Sequence, residues 1–350
     1  MRMRPYVLSF LVALLCTLSL WGISIAPVHA MHASSGEGQV TESSDSLDPL
    51  AIIAEDPFQF FLWAFIAALV IVVVFFISIS RKLEEWIDPL LFRIKKRTGL
   101  VIGRVVLGLI LIFSAYHGAL FGPELTFEFL YGADAVPVVQ IVLAIAGIFI
   151  LLGFLSRIAA LIVLVFYVGA AINTGYYMLS YINHLGEIFV VAALGQHVLS
   201  IDKSVLQWHG SMKKVARFIE RYAFLILRVA FGFSIIYTAF HTKFFHGNLV
   251  LQSVIDHNLT QLLPTDPLFT VFGIFMIEVL IGIFFIIGFE VRFAALFLIG
   301  ILTVSLIYSG DPIWSYLARY GIATALFIHG YDRYTIEGRF FKDAKHEPVL

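Results

Sequence analysis

The chain has 350 residues, 60% of them hydrophobic and 13% charged, with a formal net charge of −1 and a mean hydropathy of +0.93. Soluble domains hold about 45–50% apolar and about 25% charged residues, so composition excludes an ordinary soluble domain, and the charge balance gives no sign of a nucleic-acid surface. The apolar residues come in runs of about twenty, the length that crosses about 30 Å of hydrocarbon. This is the composition of an all-α polytopic membrane protein.

Residues 1–30 read as an export signal: a basic start (MRMRPY), an apolar stretch (VLSFLVALLCTLSLWGISI) and a small-residue end (APVHA). The apolar stretch is long, so an uncleaved anchor is the alternative. The single cysteine, Cys16, lies inside it. A processed chain would have no thiol for disulfide exchange, metal ligation or covalent haem. Residues 31–57 lack Lys and Arg and carry Glu37, Glu42, Asp45, Asp48, Glu55 and Asp56, as expected of an exported acidic, flexible segment.

Apolar runs follow at 58–80, 101–121, 137–155, 158–175, 185–200, 223–243, 268–289, 293–309 and 316–331, predicting nine transmembrane helices after signal removal. The connections 81–98 and 201–222 and the tail after 331 are rich in Lys and Arg, whereas 122–136, 176–184 and 246–267 have none. This alternation predicts a multi-pass protein of the cytoplasmic membrane, with the mature N-terminus outside and the C-terminus inside.

The chain also repeats itself. RVVLGLILIFSAYH (104–117) and RVAFGFSIIYTAFH (228–241) share six of fourteen positions, and GIFILLGFLSRIAAL (147–161) and GIFFIIGFEVRFAAL (282–296) share nine of fifteen. The second offset continues, setting Gly175, Ser180, Tyr181, Gly186 and Gly195 on Gly310, Ser315, Tyr316, Gly321 and Gly330. Apolar composition does not align Gly, Arg, His and Ser-Tyr. A tandem duplication of a four-helix unit is expected, and an even number of spans makes the copies parallel. The organisation is then an extra helix and basic loop (58–98), repeat one (99–200), a cytoplasmic linker (201–222), repeat two (223–335) and a tail (336–350).

Several polar residues fall in or beside the spans. Arg104 and Arg228 near inner ends, and Lys243 and His246 at the outer end, are expected to snorkel toward headgroups. Arg157 and Arg292 are expected to anchor short turns, and Tyr181, Tyr316 and Trp314 to form an aromatic belt. His184 and Glu187, three apart, read as a helix-end pair rather than a metal site. Asn258-Leu-Thr260 fits a glycosylation sequon only by chance. Glu278 differs because it lies near mid-span, about 15 Å from either surface at 1.5 Å per residue. It must face the bundle, be paired or be protonated, which makes it the leading functional candidate. Its candidate partners on the preceding span are Lys243, His241, Tyr237 and Arg228. Repeat one has Leu143 and Ala119 where repeat two has Glu278 and Lys243.

The pattern R-V-x-x-G…H-x-K followed by E-x-x-x-G-x-x-x-x-x-G-x-x-x-R-x-A-A-L, carried by Arg228, Lys243, Glu278, Gly288 and Arg292, resembles the DoxX family of four-span membrane proteins. The family's relatives include the DoxD-type membrane subunit of thiosulfate:quinone oxidoreductase. The resemblance covers about 224–335. Repeat one matches it through Arg104, Gly108, Gly153 and Arg157 and departs from it at Ala119 and Leu143. It implies quinone-linked redox chemistry with a periplasmic or membrane redox partner. In that reading Glu278, His241 and Lys243 are catalytic and Arg228, Tyr237 and His117 bind substrate. A quinone is the cofactor it suggests. A small-molecule or lipid carrier and a non-catalytic membrane scaffold are the alternatives.

Overall fold

The computed structural model describes residues 57–58, 101–194, 210–246, 250–251, 254–255, 267–309, 312–331, 334–336 and 338–339. The signal segment, nearly all of the acidic segment and the first predicted span, the 81–98 loop and most of the tail lie outside these residues. Every element longer than an isolated bridge is helical among the described residues. They are α1 (Val101–His117), the short α2 (Phe127–Tyr131), α3 (Val136–Leu152), α4 (Ser156–Thr174), α5 (Ile182–Leu194), α6 (Gly210–Ala239, continuing as a π-helix over Phe240–Phe245), α7 (Pro267–Ile287), α8 (Val291–Ser309) and α9 (Ile313–His329). Apart from α2, each coincides with a predicted apolar run.

Among the described residues, four helical stretches are long and apolar enough to cross a membrane: Ala133–Leu152, Ser156–Ala192, Tyr222–Phe245 and Pro267–Ile287. Val101–His117 and Val291–Ile307 are apolar but shorter. Two expectations change at this level. The segment 201–222 is not simply a linker, because α6 begins at Gly210. The run predicted over 101–121 ends as helix at His117, where Gly118 takes φ +69°. The chain then folds inward: Leu120, Phe121, Leu125 and Phe127 are buried, and Leu120 N donates to Leu125 O at 2.8 Å. Ser114 satisfies the Phe121 amide at 3.1 Å, so this polar backbone can sit among apolar side chains.

The two halves use matching positions in matching ways. Gly108 of α1 meets Gly147 of α3, and Gly232 of α6 meets Gly282 of α7. A Cβ added at Gly108 would lie 2.9 Å from the Gly147 carbonyl oxygen, and one at Gly232 would lie 2.6 Å from that of Gly282. Absence of a side chain therefore sets both helix separations. Both α3 and α7 stop at a left-handed glycine, Gly153 (φ +70°) and Gly288 (φ +75°). Phe154 N donates back to Phe149 O at 2.9 Å and Phe289 N to Phe284 O at 3.0 Å, the bond that closes a helix end of this kind. The phenyl rings of the same pairs meet edge to face at 5.3 and 5.4 Å.

Between the halves the contacts are crossed. Gly186 of α5 packs on Ala230 of α6, while Gly321 of α9 packs on Val106 of α1. The sequence offsets that relate the halves carry Gly186 to Gly321 and Val106 to Ala230. Within the second half, α6 packs on α7 and α8 on α9. Two apolar cores result, one around Leu107, Leu111, Leu143 and Ile150, the other around Phe231, Phe285, Ala295 and Ile322.

Candidate functional site

The mid-span acid is paired. Lys243 Nζ lies 2.6 Å from Glu278 Oε2, with the lysine side chain 13% and the glutamate 20% exposed. Of the four candidate partners, Lys243 is the one within bonding distance. At 1.5 Å per residue, Lys243 lies about 16 Å along α6 from the Gly232 crossing, and Glu278 about 6 Å along α7 from Gly282 toward the same end. The two side chains span the difference. Lys243 thus turns inward along the bundle, the reverse of the snorkelling expected from its position at the helix end. Its backbone lies in the π-helical stretch Phe240–Phe245; such wide turns rotate a side chain off the α-helical register and are frequent at functional sites.

Phenyl rings frame the ion pair. Phe275, three residues before Glu278 on α7, meets Phe240 at 5.0 Å and Phe244 at 5.9 Å. Phe240 and Phe245 are exposed on the bundle surface. The arrangement is an ion pair beside a cluster of mutually tilted phenyl rings, with Phe275 buried and Phe240 partly open. In the first half the matching residues, Ala119 and Leu143, are both buried, Leu143 within the apolar core.

The other predicted site residues lie elsewhere. His241, two residues from Lys243, turns to the opposite side, with its ring 5.2 Å from Tyr177 and 4.7 Å from His246. Tyr237 stacks on His241 at 6.0 Å. His117 is exposed and lies parallel to Trp314 at 5.1 Å. Arg228 is 3% exposed and donates from Nη2 to the Tyr334 carbonyl at 3.0 Å. A Cβ at Gly288 would strike its guanidinium. It is enclosed and tied to the chain's C-terminal stretch, not splayed toward headgroups, and Arg104, Arg157 and Arg292 are buried as well. The structure therefore joins Lys243 to Glu278 and leaves His241, Tyr237, His117 and Arg228 outside that pair.

Other expectations change by burial. Tyr316 and Trp314 are buried inside the bundle and do not form a lipid-facing belt. His184 and Glu187 are not a helix-end pair at the surface: they are 3% and 1% exposed, with His184 Nδ1 3.2 Å from Glu187 Oε2. Around them is a polar cluster that sequence reasoning missed. Tyr177 donates to Glu124 Oε1 at 3.1 Å and Tyr181 donates to the same oxygen. Ser234 of α6 donates to the Ser180 carbonyl and lies 3.1 Å from Asn183 Oδ1. Glu124 is separated from its tyrosines by more than fifty residues, beyond any local pattern. Among the described residues no group of three or more His, Cys, Asp or Glu is arranged to hold a metal.

No curated protein and no solved structure matches the chain. Residues 223–309, the segment that holds both Lys243 and Glu278, match the DoxX family model.

Proposed function

We propose that this membrane protein takes part in quinone-linked redox chemistry, with the Lys243–Glu278 pair as its proton-handling group. The observation that carries the reading is an ion pair within the apolar helices beside Phe240, Phe244 and Phe275. A quinone ring is flat and lipophilic, and the partly exposed phenyl cluster offers such a ring a surface reachable from the bilayer. A carboxylate beside it can accept a proton from a quinol hydroxyl or return one to a quinone oxygen. The Lys243 ammonium neutralises the carboxylate between these events. Electrons come from a partner protein or a diffusible quinol; with Cys16 the single cysteine, the chain offers no thiolate set for an iron–sulfur cluster.

In this proposal the chain is a tandem duplication of a four-span unit in parallel orientation. The paired glycine crossings, paired helix ends and crossed Gly186–Ala230 and Gly321–Val106 contacts support it. The alternation of basic and non-basic connections supports nine spans with the mature N-terminus outside. The second copy would carry the chemistry and the first, with Ala119 and Leu143, would keep the fold alone.

The test is native mass spectrometry of protein extracted from membranes, followed by titration with a short-chain quinone read by tryptophan fluorescence. The wild type is expected to retain a quinone mass and Glu278→Gln to lose at least tenfold in affinity. Absence of quinone from the wild type, with no response to the titration, overturns the proposal.

A further inference from the structure

Besides the ion pair at Glu278, the fold encloses a second acid that no part of the proposed chemistry uses. Glu187 is 1% exposed and its Oε2 lies 3.2 Å from His184 Nδ1, while its Oε1 is buried with no hydrogen-bond partner among the described residues. The walls are apolar: the Phe121 ring stacks on His184 at 4.1 Å, and Gly186 lies against Ala230. Toward the end of the bundle that holds the 118–126 turn, Tyr177 and Tyr181 both bond Glu124, closing that side. Tyr177 also touches His241 of α6, whose ring meets that of His246. From α9, Arg319 lies close enough to act electrostatically on Tyr177, Tyr181 and His184.

A buried pair of this kind must hold one proton to remain neutral overall, either as carboxylic acid with neutral imidazole or as carboxylate with imidazolium. A carboxylate–imidazolium pair would bury two charges in this apolar enclosure, and an ionised Glu187 beside a neutral histidine would be an uncompensated charge there. We propose that His184 and Glu187 form a proton-binding site in which Glu187 is a neutral carboxylic acid donating its hydrogen bond to His184 Nδ1. The ligand is a single proton, taken up or released when the charge near His184 changes. The site is independent of quinone binding at Glu278 and remains if that reading fails.

Infrared spectroscopy of the purified full chain in H₂O and D₂O near neutral pH tests it. The wild type is expected to show the carbonyl stretch of a protonated carboxylic acid, shifted down in D₂O. Glu187→Gln removes this band and Glu278→Gln leaves it. His184→Asn, which keeps a hydrogen-bonding group, shifts the same band and provides the answer should Glu187→Gln fail to fold. A spectrum without the band, one unchanged by Glu187→Gln, or a band unmoved by His184→Asn overturns the assignment.

Discussion

The pairing of Lys243 with Glu278 makes a quantitative prediction about removing one partner at a time. Lys243→Met keeps most of the side-chain volume but leaves Glu278 without a cation in the apolar part of the bundle. Breaking an enclosed ion pair by deleting one member costs about 3–5 kcal/mol, and a lone acid at the centre of a spanning helix is disfavoured by about 2.5–3.5 kcal/mol on insertion scales. The pair here is not fully enclosed, at 13% and 20% exposure, so we take the lower figure, about 3 kcal/mol. The double variant Lys243→Met/Glu278→Leu removes both charges. Replacing a whole ion pair by apolar residues is often neutral or stabilising, and the first half already places Ala119 and Leu143 in the matching positions, both buried. The double variant should therefore return to within about 1 kcal/mol of wild type. Thermal unfolding in one detergent, followed by the monodisperse fraction on size exclusion, reads the order. The reasoning is refuted if Lys243→Met is as stable as wild type, or if the double variant is no better than the single.

Three further outcomes follow from the packing. Gly282→Ala places a Cβ 2.8 Å from the Gly232 carbonyl oxygen and should destabilise by about 1–3 kcal/mol despite a helix-propensity gain of about 1 kcal/mol. Gly273→Ala on the same helix meets nothing within 4 Å and should not destabilise; equal midpoints for the two would contradict the close crossing. Gly288→Ala forces a side chain into φ +75° and against Arg228, with a backbone penalty of about 1–2 kcal/mol; it should also expose the Tyr334 region to protease, and an unchanged digestion pattern would argue against the Arg228 tie. In a Cys16→Ser background, Asp134→Cys should react with a membrane-impermeant maleimide in intact cells, and Lys214→Cys only after permeabilisation; labelling from the same side would refute the proposed topology.

Much of the architecture was legible before any coordinates. Apolar runs marked every long helix described, and the glycines that repeat in the sequence recur at the crossings and turns, because a missing side chain has the same consequence wherever it recurs. Glu278 stood out because an acid in the middle of an apolar run needs compensation whatever the fold. The fate of the basic residues was less legible. Position near a helix end suggested that Lys243 and Arg228 would lean outward, whereas one bonds inward to Glu278 and the other is held by the Tyr334 carbonyl.

The sequence by itself determined which stretches form the long apolar helices, though not their ends at His117 and Gly210, and that the second half carries an acid and a base that the first half lacks. These are local properties, set by hydropathy, by glycine and by residue identity. Only the tertiary structure decided that Lys243 and not His241 meets Glu278, that Glu124 clasps Tyr177 and Tyr181, and that His184 and Glu187 are enclosed. Those outcomes depend on how each helix is rotated against its neighbours. That rotation is fixed where the helices cross closely at glycines, and Lys243 and His241, two apart and so on opposite sides of one helix, then meet different partners.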